Sequence, residues 1–108
     1  MRIDEKGWVI TDEYMRTSKE GIWACGDTNG KHMFKHVANY ESEIVFYNAF
    51  EGRNVRGDYH AVPHAIFTEP QIAAVGMSEE EARKKHEILM GEYKYEDTAM
   101  GLAMKAKD

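Results

Sequence analysis

The pair Gly26-Asp27, set directly after the apolar run Ile22-Trp23-Ala24-Cys25, is where this sequence first offers chemistry. A strand that ends in an aspartate puts a carboxylate at the carboxyl edge of a sheet, the edge on which ligands of open α/β sheets bind. Such a carboxylate accepts hydrogen bonds from sugar-like hydroxyls, and a glycine beside it lets a ligand come close to the backbone. Behind the pair runs a polar, glycine-containing stretch, Asp27-Thr28-Asn29-Gly30-Lys31-His32, which leads into a helix. The first N–H groups of a helix have no intrahelical partner, so its start is electropositive. The plainer account is a strand, an Asx turn and an ordinary helix, since Gly-Asp pairs at strand ends are common. Spacing alone leaves both open.

These residues need elements to hold them. Residues 8–11 are apolar or β-branched and follow the turn-like cluster Asp4-Glu5-Lys6-Gly7, which predicts a short strand; the run 22–25 predicts a second, buried one. Over residues 33–50 the apolar positions Phe34, Val37, Ala38, Ile44, Val45 and Ala49 share one helical face, with Glu51-Gly52 as a stop. The charged, turn-rich stretch Arg53-Asn54-Val55-Arg56-Gly57-Asp58 predicts a boundary near Gly57, dividing residues 1–57 from residues 58–108. Beyond it, Ala65-Ile66-Phe67-Thr68 and Ile72-Ala73-Ala74-Val75 predict two strands parted by Glu69-Pro70. Ser78 with Glu79-Glu80-Glu81 predicts a helix start with Glu81 at the capping-box position, ending near His86. Residues 88–95 predict another strand, weakened at Gly91, and residues 97–108 carry no clear pattern.

Composition narrows the function classes. A chain of 108 residues supports one modest core, and 43% hydrophobic with 31% charged residues is a globular balance. The formal charge of -5 gives no positive field to gather phosphates, which argues against nucleic acid as a partner. No apolar run approaches the roughly 20 residues that cross a bilayer, and the residues after Met1 lack the apolar stretch of a signal peptide, so the chain reads as cytoplasmic with no membrane partner. The single cysteine, Cys25, excludes a dithiol redox pair within the chain.

The segment Thr17-Ser18-Lys19-Glu20-Gly21-Ile22-Trp23-Ala24-Cys25-Gly26-Asp27 resembles the second FAD fingerprint of the pyridine nucleotide-disulfide oxidoreductases: Thr, four residues, Ile or Val, an aromatic, Ala, any residue, Gly, Asp. A second run, Val62-Pro63-His64-Ala65-Ile66-Phe67-Thr68-Glu69-Pro70-Gln71-Ile72-Ala73-Ala74-Val75-Gly76, resembles the opening of that family's dimerisation domain. The two runs lie in the family's own order. The resemblance implies an α+β piece: the end of an FAD-binding domain (strands plus one long helix) at residues 1–57, then the start of an α+β dimerisation domain at residues 58–108. It assigns Gly26 and Asp27 to FAD, with Asp27 on the ribityl chain. Met33-Phe34-Lys35-His36-Val37-Ala38 fits the family's next cofactor segment, so Met33, Phe34, Lys35 and His36 join the cofactor-binding set. His36 leans the reading towards the lipoamide dehydrogenase subgroup; Lys35 stands where alanine is usual. A helix opening there would aim N–H dipoles at the flavin and favour negative charge on the reduced ring.

The family's first Gly-x-Gly-x-x-Gly, its Cys-x4-Cys disulfide, its NAD- or NADP-binding segment and its terminal His-x4-Glu pair are not found in these residues. The resemblance therefore implies a C-terminal piece of a homodimeric parent enzyme, with no catalytic residue in the piece and no activity of its own. Exposed faces built for missing domains would make it self-associate. Other readings are a mercuric or glutathione reductase-like member, or a non-catalytic dimerisation or binding module. A zinc site from Cys25, His32, His36, His60 and His64 matches no standard ligand spacing, so no metal is expected. Cys25 in a buried strand would pack as a small apolar group, and His60 and His64 read as exposed linker residues. Tyr40, Phe46, Tyr47, Phe50, Tyr93 and Tyr95 read as core or subunit contact rather than a ligand surface.

Overall fold

A computed structural model describes residues 1–104 and divides the chain into two compact units, Met1–Gly76 and Met77–Asp108. The fold is α+β, with helices and one small antiparallel sheet.

In the first unit, short aspartates shape the opening residues. One oxygen of Asp4 accepts from the backbone N–H of Lys6 and of Trp8, both at 2.9 Å, and Asp12 does the same for Tyr14 and Arg16. Aspartates that bind backbone a few residues on compete with ladder formation. The strands expected at residues 8–11 and 22–25 are accordingly single bridges, Ile3 with Val9, Thr11 with Thr17 and Arg16 with Trp23. Ile22 is exposed and Cys25 half-buried, so the second run is not the fully buried strand expected. A buried strand needs neighbours on both edges, and among the described residues the sheet contains two strands alone, His64–Ile66 and Ile72–Ala74.

A 3-10 helix, Gly26–Asn29, follows, and a left-handed Gly30 ends it. Trp8 packs so closely over Gly30 that an added Cβ would lie inside the indole. Helix α1 then runs Lys35–Ala49, within the span expected for it, and Gly52 at φ 65 turns the chain away. The buried positions of α1 are Val37, Glu41, Ile44 and Asn48, a stripe at helical spacing. Around this stripe sits the core, apolar at Met15, Val37 and Ile44 and polar at Asn29, Glu41 and Asn48.

After α1 the chain has no helix or strand until the hairpin of β1, His64–Ile66, and β2, Ile72–Ala74, paired antiparallel with Ala65 opposite Ala73. β2 lies inside its expected run, whereas β1 begins one residue before its own and stops two residues short of its end. His64, read from sequence as linker, belongs to β1.

The second unit opens with α2, Glu79–Lys85, whose capping box is complete: the Ser78 side chain accepts from the Glu81 N–H, and the Glu81 carboxylate accepts from the Ser78 N–H. Arg83 pairs with Glu79 and Lys84 with Glu80 one turn apart. The strand expected at residues 88–95 is absent; this segment is irregular and ends in a 3-10 helix, Tyr95–Asp97. Helix α3, Ala99–Met104, follows, with the Thr98 hydroxyl accepting from the Gly101 N–H at 3.0 Å. Gly101 lies against the Tyr95 carbonyl, where no side chain would fit.

Candidate functional site

Gly26 sits where the bridge at Trp23 gives way to the 3-10 helix, at φ 71, a left-handed conformation that favours glycine. A Cβ built there would lie 3.1 Å from the Cβ of Ala38, so the turn runs against the first turns of α1 and leaves little room for a side chain. Asp27, the next residue, is exposed, and its carbonyl accepts from the Gly30 N–H at 3.0 Å. The turn is thus fixed by backbone, leaving the Asp27 side chain at the surface.

Helix α1 begins without a side-chain cap, since its N-cap residue is Phe34. Its first-turn N–H groups therefore lack the partner that a Ser or Asp would supply, and they remain able to donate to a ligand. Phe34, Lys35 and His36 line a cavity of about 810 Å³ together with Asn39, Pro63 and His64. The Phe34 ring stacks on His36 at 5.4 Å and on His64 at 6.1 Å, giving one wall of flat rings. His36 Nε2 lies 2.7 Å from the Pro63 carbonyl, the geometry of a ring N–H donating to that oxygen and leaving Nδ1 able to accept. His36 also lines a second cavity, of about 280 Å³, shared with Tyr40 and Tyr59.

Of the six residues singled out from sequence, the structure brings Phe34, Lys35 and His36 to one cavity, while Gly26, Asp27 and Met33 are not among its lining residues. Met33 is 61% exposed. Gly26 nevertheless joins the same region through its packing on Ala38.

Sequence reasoning missed the group that ties these parts together. Glu41 is completely buried, and its carboxylate accepts from the Gly26 N–H at 2.6 Å, the Asn29 amide at 3.0 Å and the Tyr59 hydroxyl at 2.6 Å. Burial, and next the hydrogen bond to Glu41, push the Tyr59 hydroxyl above the ordinary phenol range. Burial, and next the Glu41 charge, raise the Cys25 thiol, which fits a packed and unreactive cysteine. The signal was present: Glu41 and Asn48 fall in step with Val37 and Ile44, polar residues at buried helical positions. Among the described residues no group of three His, Cys, Asp or Glu side chains is arranged to hold a metal ion.

Comparison with known proteins covers nearly the whole chain. Residues 1–42 match the family described as pyridine nucleotide-disulphide oxidoreductase, and residues 62–108 match the dimerisation domain of the same family. Mycothione reductase of Mycobacterium tuberculosis is 42% identical over 107 residues, covering 94% of this chain and 23% of that protein. Dihydrolipoyl dehydrogenase of Chlamydia pneumoniae is 41% identical over 83 residues, 77% of this chain and 18% of that protein. Among solved structures, the HOCl-induced flavoprotein disulfide reductase RclA from Escherichia coli superposes with a TM-score of 0.71 at 29% identity, covering 78% of this chain and 20% of that one. The chain spans less than a quarter of the length of these relatives.

Proposed function

The chain belongs to the pyridine nucleotide-disulphide oxidoreductases, and from that premise we propose that it serves as the part of a flavin-dependent disulfide oxidoreductase where the FAD-binding domain ends and the dimerisation domain begins. The two family matches leave residues 43–61 between them, which supports a domain boundary near Gly57. On this reading the parent enzyme is a homodimer that passes electrons between a nicotinamide cofactor and a disulfide through FAD.

The residues present suit that cofactor. Gly26 gives a turn with no side chain, Asp27 offers an exposed carboxylate to hydroxyls, and the uncapped start of α1 beside Phe34 presents N–H donors at an aromatic-walled cavity. FAD, when bound, supplies the two-electron carrier between nicotinamide and disulfide. The chain's own part is to hold and orient: Asp27 accepts from the ribityl chain, and the amides from Met33 to His36 favour negative charge at the ring. The observation that carries the reading is the uncapped α1 opening onto the 810 Å³ cavity lined by Phe34, Lys35 and His36.

Within the family, His36 favours dihydrolipoyl dehydrogenase as the parent activity, with glutathione and mercuric reductase as neighbouring alternatives. The 42% identity over nearly the whole chain favours a second substrate class, the mycothione-type disulfide. The parent polypeptide, purified with its flavin, decides between them when NADH- or NADPH-dependent turnover is measured with lipoamide and with mycothione. Turnover of lipoamide alone supports the first reading, turnover of mycothione alone the second. A parent polypeptide that carries no flavin and reduces no disulfide would sink both.

A further inference from the structure

We infer that Glu41, outside the six residues assigned to the cofactor, is the positioning residue of the Gly26-Asp27 turn; the inference rests on the proposed reading of that turn as a flavin contact. A carboxylate removed from water must be matched by donors or by a cation. Among the described residues no Lys or Arg pairs with Glu41. Its match is made by three neutral donors from separate places in the chain: Gly26 and Asn29 at either end of the 3-10 helix share Oε2, and Tyr59, beyond α1, takes Oε1.

The two oxygens therefore have different duties. Oε2 grips the first and last residues of Gly26–Asn29 and so sets that short helix against α1. Ala38, one turn earlier on α1, receives the bare Cα of Gly26, so positions 38 and 41 act together: one leaves room, the other anchors. Because Asp27 is bonded directly to Gly26, fixing the Gly26 peptide fixes where the Asp27 carboxylate begins. Oε1 joins the same anchor to Tyr59, whose ring also stacks on His32 at 5.0 Å, between the 3-10 helix and α1. A side chain that merely filled the core would tolerate an apolar replacement of equal size. A positioning residue needs an acceptor at Oε2.

That distinction is testable in the 108-residue chain, isotope-labelled, as wild type, Glu41→Gln and Glu41→Leu. Glutamine keeps an oxygen facing Gly26 and Asn29 and turns its NH2 towards Tyr59, whose hydroxyl oxygen accepts in turn. Leucine keeps the volume and removes every acceptor. Amide hydrogen exchange at Gly26 is read against Ile44 in α1. With the leucine variant folded, protection at Gly26 is expected to fall about tenfold or more while Ile44 holds, and glutamine restores it. Unchanged Gly26 protection in the folded leucine variant overturns the inference. If leucine unfolds the chain, glutamine decides: retained Gly26 protection supports the anchor, and a loss confined to Gly26 and Asn29 overturns it. Quenching of FAD fluorescence on the same samples separates the two claims. Quenching that weakens with leucine and returns with glutamine supports the link from anchor to flavin. No quenching by the wild-type chain, with the exchange pattern as expected, sinks the flavin reading for this chain and leaves the hold of Glu41 on Gly26 standing.

Discussion

Around α1 the bonds that matter reach far along the chain: Tyr59 to Glu41 spans 18 positions and Asn48 to the Tyr14 carbonyl spans 34. Every bond that caps or braces α2 closes within four residues, and no residue of α2 is buried. The same polar atoms thus do different work in the two places. Where donors and acceptors lie out of water, an unmade bond leaves a full desolvation penalty, whereas on an exposed helix water replaces whatever is lost. The region near α1 is therefore expected to respond to single substitutions as a whole, and α2 only locally.

The largest break in that contrast is expected from Asn48→Ala. Asn48 is 5% exposed; its amide donates to the carbonyls of Tyr14 and Val55, and its oxygen accepts from the Val55 N–H at 2.7 Å. Alanine strands two acceptors and one donor beside the core, with an expected loss of about 2–4 kcal/mol. Urea unfolding checks it, and a loss no larger than for an exposed helix position would erase the difference between the regions. A smaller effect attaches to Tyr59. Its hydroxyl titrates above the ordinary value of 10.0, so the unfolded chain gives up that proton first. Its contribution is fully present below 10.0 and drains away as pH rises towards the higher folded value. Thermal melting across that range is expected to show a fall in stability that Tyr59→Phe flattens; equal slopes in both proteins would refute it.

The same contrast explains what could be read from the sequence. The capping box of Ser78 and Glu81 and the single-face pattern of α1 are local, so residues 79–85 and 35–49 fall inside the helices anticipated. The two short apolar runs around Ala65 and Ala73, parted by Glu69-Pro70, likewise located the hairpin. Strands at 8–11 and 22–25 were overestimated because a strand is completed by its neighbours, and composition says nothing of whether neighbours exist. Residues 88–95 failed similarly: Tyr93 and Tyr95 favour a strand, but among the described residues no partner pairs with them. Phe34, Lys35 and His36 were legible only through the resemblance, because an uncapped helix start looks like any other loop in sequence. A pattern built on apolar positions alone leaves out Glu41 and Asn48, although their register with Val37 and Ile44 puts them on the buried stripe.

The smallest expected effect is at Glu81, and it sharpens the local side of the comparison. Its carboxylate lies below the ordinary glutamate value of 4.5, chiefly through the Ser78 N–H and then the Ser78 hydroxyl, with Lys85 adding a lesser attraction. The backbone and hydroxyl contacts are 3.0 and 2.8 Å. With the folded value below the unfolded one, the unfolded turn binds the proton more readily. The bracing is therefore complete above 4.5 and disappears as pH falls through the lowered folded value. Followed by NMR, the Ser78 amide and the Glu81 carboxyl are expected to titrate together with a midpoint below 4.5, and Ser78→Ala to move the Glu81 midpoint back towards it. Glu81→Gln removes the step from the Ser78 signal. Through all of this the Gly26 and Asn48 amides are expected to show no change tied to the Glu81 titration, because no bond of the capping box extends beyond its own four residues. A midpoint at or above 4.5 in the wild-type chain would mean that the capping bonds do not favour the charged carboxylate, and α2 would then owe its start to the serine alone.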